Sequence, residues 1–464
     1  MNDPTAAPAT DSATDPATDS VRAQVRTLMP TLRQDLENLV RIESVSADPA
    51  RSAEVWRCAD VVADLFRAEG FVDVDIVSAN GGGPAVLGHK PGPAGAPTVL
   101  LYAHHDVQPE NDHADWDSPP FEPTERGDRL YGRGAADDKA GIAAHLGALR
   151  VFGDDLPVTV KIIIEGEEEV GSDTLPTLLA EHKDKLEADV IVIADSGNWD
   201  IGEPALTTSL RGLVRMYVEV RTLHHGVHSG MWGGVVPDAL MTLARLLATL
   251  HDDAGNVAVE GLVGGPAADV TYPEERARAE SGIADGVGWI GDGPMVERLW
   301  TRPSLSVTGI DAPPAQGASN TLVPQARAMI SLRIAPGDST ANAAARLQAH
   351  LEQHVPWGAQ VTCTLSDKGE PIAIDATGPA YDAARAAFTE AWDGTQPVDM
   401  GVGGSIPFIA EFLDTFPAAS VLVTGVEDPD TRAHGANEGL HLAEFERVVV
   451  AEALLLRNLG ALEG

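Results

Sequence analysis

The sequence predicts an α/β protein in which a catalytic-sized domain, a helix-covered mixed β-sheet, is interrupted by a smaller α+β unit. Three observations carry this. Short apolar runs alternate with helical stretches over residues 72–193, the texture changes after Asp195, and the first texture returns from about Pro379. A chain of 464 residues accommodates about two or three domains at roughly 150 residues each. With 44% hydrophobic and 22% charged residues, it buries a core without help from disulfides or metals.

The first twenty residues, MNDPTAAPATDSATDPATDS, lack both a positive start and an apolar stretch, so residues 1–20 read as a disordered tail rather than a leader or anchor. Helical spacing of Val21, Val25, Leu28, Leu32, Leu36 and Leu39 predicts a helix from Val21 to Ile42, and a second runs from Ser52 to Glu69. Strands follow at Val72 to Val77, Ala85 to Gly88 and Thr98 to His104. Then come a helix at Lys139 to Val151, a strand at Val158 to Ile164, a helix at Thr174 to His182 and a buried strand at Val190 to Ile193.

Beyond Asp195 the expected elements are strands at Gly212 to Val220, Ser304 to Thr308 and Ala326 to Ile334, with helices at Pro237 to His251 and Thr340 to His354. Asp253 to Met295, rich in Gly, Ala and Asp, reads as a long loop excursion. The closing part carries a helix at Tyr381 to Trp392, a strand at Ala418 to Val423 and a helix at Leu442 to Leu459. The expected division is a catalytic domain over 21–210 and 375–464, with an inserted domain over 211–374.

Charge and cysteine content exclude several functions. Lys and Arg total 32 against 70 for Asp and Glu, a formal charge of −38, which repels nucleic acid and anionic membranes. No apolar run reaches the roughly 20 residues of a membrane-spanning helix. Cys58 and Cys363 alone support neither a disulfide framework nor a thiolate metal site, and a reducing, cytoplasmic setting fits them.

Chemistry-bearing residues collect after the strands of the interrupted domain. His104 and Asp106 share one face of an extended segment, and a carboxylate beside an imidazole is how metal sites orient histidine. Asp137 and Asp138 open a helix, where an N-cap is the alternative role. Glu167, Glu168 and Glu169 follow the next strand, and residue pattern does not choose among them. Asp195 follows another strand and His434 another. Ligands of open α/β sheets bind at the carboxyl ends of strands, so this ordered set points to one site. Imidazole and carboxylate donors without thiolate suit Zn, Mn or Co, and one carboxylate can bridge two ions.

The motifs His104-His-Asp-Val-Gln-Pro, Gly132-Arg-Gly-Ala-Ala-Asp-Asp-Lys, Glu165-Gly-Glu-Glu-Glu-Val-Gly-Ser, Gly403-Gly-Ser-Ile-Pro407 and His434-Gly-Ala-Asn-Glu438 resemble a zinc metallopeptidase family. That family holds carnosinases, cytosolic non-specific dipeptidases, carboxypeptidase G, aminoacylase and succinyl-diaminopimelate desuccinylase. The likeness extends from about Val21 to the C-terminus and is closest to the dipeptidase and carnosinase branch. It implies two divalent ions per subunit, zinc first, held by His104, Asp137 as the bridging carboxylate, Glu169, Asp195 and His434. It also implies Asp106 as the carboxylate behind His104, Glu168 as general base, and a cis peptide between Asp137 and Asp138.

The same resemblance makes the insert a lid and dimerisation domain. His228, in His228-Ser229-Gly230, would reach a neighbouring subunit's active site, with His224 and His225 nearby in sequence. Thr321, Arg333, Ser405 and His434 would meet substrate. Several relatives carry Arg-Glu before Gly-Gly-Ser-Ile-Pro, where this chain has Gly401-Val402. The expectation is a homodimeric dipeptidase. Its rivals are a deacylase of N-acyl amino acids or N-succinyl-diaminopimelate on the same scaffold, and a non-catalytic metal-binding protein.

Overall fold

The computed structural model describes residues 16–266, 270–404 and 407–462. Two compact units make up the chain. The first runs to Leu206 and takes in Thr377–Pro397 and the chain from Thr415 onward; the second comprises Thr207–Ala376 with Val398–Asp414.

In the first unit the mixed sheet runs in the order Val72–Val77, Ala85–Lys90, Thr159–Glu165, Thr98–His104, Val190–Ile193 and Ser420–Val423. Pairing is antiparallel as far as Thr159–Glu165 and parallel beyond it. Val99, Leu100, Leu101 and Tyr102 are all fully buried, which is why this strand reads as an unbroken apolar run. Parallel pairing brings the carboxyl ends to one edge, where His104 lies opposite Glu165.

The helix Lys139–Phe152 packs between Pro16–Val40 and Leu442–Gly460. Gly147 permits this approach, because a Cβ there would lie 2.6 Å from Val449 Cγ1 and 2.9 Å from Leu32 Cδ1. Lys139, fully buried, donates to the carbonyls of Leu39 at 3.0 Å and Ile42 at 2.9 Å, so its charge satisfies the C-terminal end of the first helix. That first helix begins at Pro16, within the segment expected as a tail: Thr18 is buried and its hydroxyl donates to Glu390, a tertiary contact with no signature in local sequence. Residues 1–15 lie outside the described residues.

The second unit holds an antiparallel sheet in the order Ser304–Asp311, Gln325–Ile334, Gly212–Arg221 and Gln360–Gly369. Val214, Met216, Val218 and Val220 alternate inward and pack with the helices Ala239–Ala248 and Thr340–His354. Asp238 caps the first of these helices by accepting from Met241 N at 3.0 Å, and Ser339 caps the second through Asn342 N at 3.1 Å. The edge strand Gln360–Gly369 was not expected from sequence, since most of its residues are exposed and its apolar alternation is short. The excursion contains a helix, Glu274–Ser281. Among the described residues, no helix is long and apolar enough to cross a membrane.

Candidate metal centre

Every proposed metal ligand lies in the first unit. Two groups of donors form there, His104 with Glu168 and Asp195, and Asp137 with Glu169 and His434; within each, the donor atoms lie within 4.8 Å of one another. Asp137 joins them. Its Oδ1 is 3.1 Å from His104 Nε2 and its Oδ2 is 3.0 Å from His434 Nε2, so one carboxylate faces both groups. Glu169 Oε2 is 3.3 Å from His434 Nε2, while Glu168 Oε2 and Asp195 Oδ1 are each 4.0 Å from His104 Nε2.

Local structure explains these directions. His104 ends its strand, and its Nδ1 is 3.1 Å from the carbonyl of Asp106, which leaves Nε2 for the site. The Asp106 carboxylate, fully buried, accepts from Glu168 N at 3.2 Å and Glu169 N at 3.1 Å, so it fixes the turn carrying both glutamates. Its place is behind the site. Asp138 is the N-cap residue of the following helix but makes no side-chain cap; its carboxylate accepts instead from His104 N at 3.2 Å. The peptide between Asp137 and Asp138 is cis. His105 is buried with Nε2 3.0 Å from the Pro84 carbonyl, away from the donor groups, and burial lowers its pKa to about 4.

The three adjacent glutamates separate clearly. Glu167 accepts from Gly83 N and Thr174 N, both at 2.7 Å, and serves as a tie between loops. Glu168 and Glu169 turn toward the donors because Glu168–Val170 is a short 3₁₀ turn rather than a continued strand. Gln108, a residue the motif reading passed over, donates from Nε2 to Glu169 Oε2 at 2.7 Å and from its backbone N to Oε1 at 2.9 Å.

Glu438 was also passed over. Fully buried, it accepts from the backbone N–H of Gly134 at 3.0 Å, Ala136 at 2.9 Å and Asp137 at 3.1 Å, and from Arg133 at 2.7 Å. It clamps the turn that presents Asp137 to the segment that presents His434. That segment bends through left-handed backbone at Arg432, His434 and Asn437, with φ of 57°, 62° and 60°. The Asn437 side chain secures it, accepting from Asp117 N at 2.9 Å and donating to the Asp115 carbonyl at 3.0 Å.

The electrostatics fit a cation site. Burial, then Asp195, pushes Glu168 up to about 9; burial, with Asp137 and Glu169 adding, pushes Asp195 up to about 7. Hydrogen bonds to Asp137 and Glu169 push His434 up to about 11. Burial works against charge on His104, yet Asp106 and Asp137 hold its pKa well above the usual range. Carboxylates outnumber imidazoles here, and divalent ions compensate such a cluster best. The donors are nitrogen and oxygen alone, as Zn, Mn or Co accept.

Of the expected substrate contacts, His434 lies in the first unit, and His228, Thr321 and Arg333 lie in the second. His228 pairs with Thr321 in a two-residue ladder, and both are exposed. His228 Nδ1 accepts from Gly230 N at 3.0 Å, leaving Nε2 outward. Arg333 lies opposite Ser304 and Leu213 on neighbouring strands, half-buried, with its pKa drawn down by burial. Arg211, missed in the sequence, donates Nε to the Gly403 carbonyl at 3.2 Å and Nη1 to Ser304 Oγ at 2.9 Å, and burial followed by Arg333 lowers its pKa to about 10. Ser405 lies outside the described residues.

Residues 100–458 match the model of Peptidase family M20/M25/M40. The chain belongs to this family. It is therefore a hydrolase acting on peptide bonds, and the resemblance read from the motifs is borne out. It is 36% identical over 389 residues to cysteinylglycine-S-conjugate dipeptidase of Corynebacterium striatum, covering 81% of this chain and 84% of that protein. It is 30% identical over 444 residues to human Beta-Ala-His dipeptidase, covering 88% and 86%. The crystal structure of human carnosine dipeptidase 1 superposes with a TM-score of 0.77 at 27% identity, over 97% of this chain and all of that one. The family's mixed α/β fold is likewise shared.

Proposed function

We propose that the protein is a dinuclear metallodipeptidase that cleaves dipeptides with a free amino terminus. The observation that carries this is Asp137 set between His104 and His434, with Glu168 beside the first group and Glu169 beside the second. His104 and Asp195 would hold one ion, Glu169 and His434 the other, and Asp137 both. Ions bound there supply Lewis acidity, which makes water nucleophilic at neutral pH and polarises the scissile carbonyl.

Glu168 takes the proton of the attacking water and returns it to the leaving amine. Asp106 and Gln108 keep Glu168 and Glu169 aimed without touching substrate. The protein works as a homodimer through its second unit, where His228 of one subunit donates to the developing oxyanion in the other. Arg333 offers a two-pronged fork for the C-terminal carboxylate; Thr321 and Ser405 complete the contacts. The proposed functional division, 21–210 with 375–464 around 211–374, differs from the compact units chiefly in counting 398–414 with the catalytic part, and a cytoplasmic setting accords with two free cysteines.

Gly401 bears on substrate choice. A Cβ there would lie 2.5 Å from Trp300 Cβ and 3.0 Å from Ser209 Oγ, so Trp300 occupies the room that a longer side chain would need. The test is hydrolysis by metal-free protein re-supplied with Zn, Mn or Co, using Cys-Gly, an S-substituted Cys-Gly, β-Ala-His, N-acetyl amino acids and N-succinyl-diaminopimelate. Cleavage of the dipeptides alone supports the proposal. Preference for the acylated compounds establishes the deacylase, and metal binding without any hydrolysis establishes the non-catalytic protein.

A further inference from the structure

The second unit contains a cavity of about 710 Å³ walled mainly by the excursion that joins the helix Ala239–Ala248 to the strand Ser304–Asp311. This long segment buries Leu250, Val259, Ala277, Val296 and Trp300. Val259 joins the buried cluster, with Val257 and Leu262 packed against it, whereas Trp289, Ile290, Met295 and Leu299 line the cavity. Ile290 is 69% exposed and Leu299 39%. Long irregular segments in compact domains are commonly functional, and a cavity this size falls within the roughly 300–1,000 Å³ of small-molecule sites.

The polar groups of the cavity are unevenly satisfied. Glu280 is engaged by the Tyr272 hydroxyl and Arg276, Asp292 accepts from Asn256 Nδ2 at 3.1 Å, and Arg302 pairs with Glu297. Arg298 differs. Its Nη1 donates to the carbonyls of Ile290 at 2.7 Å and Gly291 at 3.3 Å, its Nε is buried out of a ligand's reach, and among the described residues its Nη2 has no hydrogen-bond partner. Among the described residues its charge faces carbonyls, not carboxylates. A guanidinium left this way beside aromatic and aliphatic walls matches an acid group joined to an apolar body.

We propose that this cavity is a binding site for a small organic anion with an aromatic or branched apolar body, its acid group meeting Arg298. A chain of formal charge −38 repels anions in general, so saturable binding of one requires a local site. The test titrates the metal-loaded full chain with 8-anilinonaphthalene-1-sulfonate, followed by fluorescence, beside its neutral counterpart N-phenyl-1-naphthylamine. One saturable site per chain is expected, with the neutral probe at least tenfold weaker.

Arg298→Met should remove the preference for the anion, and Ile290→Asp, at an exposed position, should weaken the anion at least tenfold while peptide hydrolysis continues. If Arg298→Met does not fold, Ile290→Asp decides alone. Absence of saturable binding, equal affinity for the neutral probe, or anion binding unchanged by Ile290→Asp would each overturn the proposal, the last by placing the probe elsewhere, the metal centre included.

Discussion

His104 and His228 show how differently the two units hold their histidines. His104 is fully buried, with both ring nitrogens engaged and its backbone N donating to Asp138. His228 is exposed, and among the described residues its side chain bonds only to its own turn, accepting from Gly230 N. The first unit thus over-determines its donors before any ligand arrives, as sites that must hold ions in set geometry require. The second presents His228 and Thr321 on an exposed two-residue ladder. Removing a ligand from the first site should therefore cost metal, whereas a change at the general base or in the second unit should cost rate alone.

The sharpest test of that contrast is Asp137→Ala. Removing the carboxylate between the two histidines should abolish hydrolysis and leave fewer than two ions per chain by elemental analysis. Two retained ions would show that Asp137 does not bridge. Glu168→Gln should lower kcat by about 10²–10⁴-fold while metal content stays at wild-type level, because an amide cannot accept the proton. Loss of metal in this variant would make Glu168 a ligand, which its 4.0 Å approach to His104 allows.

His228→Ala should reduce kcat by about 10²–10³-fold with metal content and melting temperature unchanged. Mixing it with Glu168→Gln under subunit exchange should restore roughly a quarter of wild-type activity at equal amounts, since half of randomly paired dimers are mixed and each has one complete site. No recovery despite exchange would place His228 in its own subunit's chemistry or outside it.

Glu438→Gln probes the clamp behind Asp137. It leaves Arg133 buried beside a neutral group, so chemical denaturation of the metal-free protein should show a loss of about 3 kcal/mol. Metal titration should show a 10–100-fold weaker site. Weakened metal binding with unchanged stability would mean that Glu438 acts on the ions more directly. The smallest effect belongs to His225→Ala: an exposed neighbour of His228, it should change stability by no more than about 0.5 kcal/mol and leave kcat at wild type.

Much of this architecture was legible in the chain because its signals are local. The strand Thr98–His104 is an apolar run buried on both faces, and Gly212–Arg221 alternates apolar and polar residues with period two. Ordered placement of His104, Asp195 and His434 after strands was readable too, because parallel sheets send such ends to one edge. Asp137 comes instead from the turn before the helix Lys139–Phe152, after the antiparallel strand Arg129–Tyr131. Gln360–Gly369 escaped notice because an edge strand with few inward residues carries a faint pattern.

The sequence by itself determined which residue types were available for chemistry, their order along the chain, and the two textures that mark two units. Residue pattern leaves open which adjacent glutamate ties a loop, the family motif points to Glu168 and Glu169 for the site, and the tertiary structure supplies the reason: Glu167 is taken up by Gly83, distant in sequence, and by Thr174. Tertiary structure alone assigned Gln108 and Glu438 their roles: each acts on a ligand through partners far away in sequence, Glu169 for the one and the 134–137 turn for the other. A hydrogen bond between distant segments leaves no periodicity in the chain, because it depends on where two backbones meet and not on what either one prefers locally.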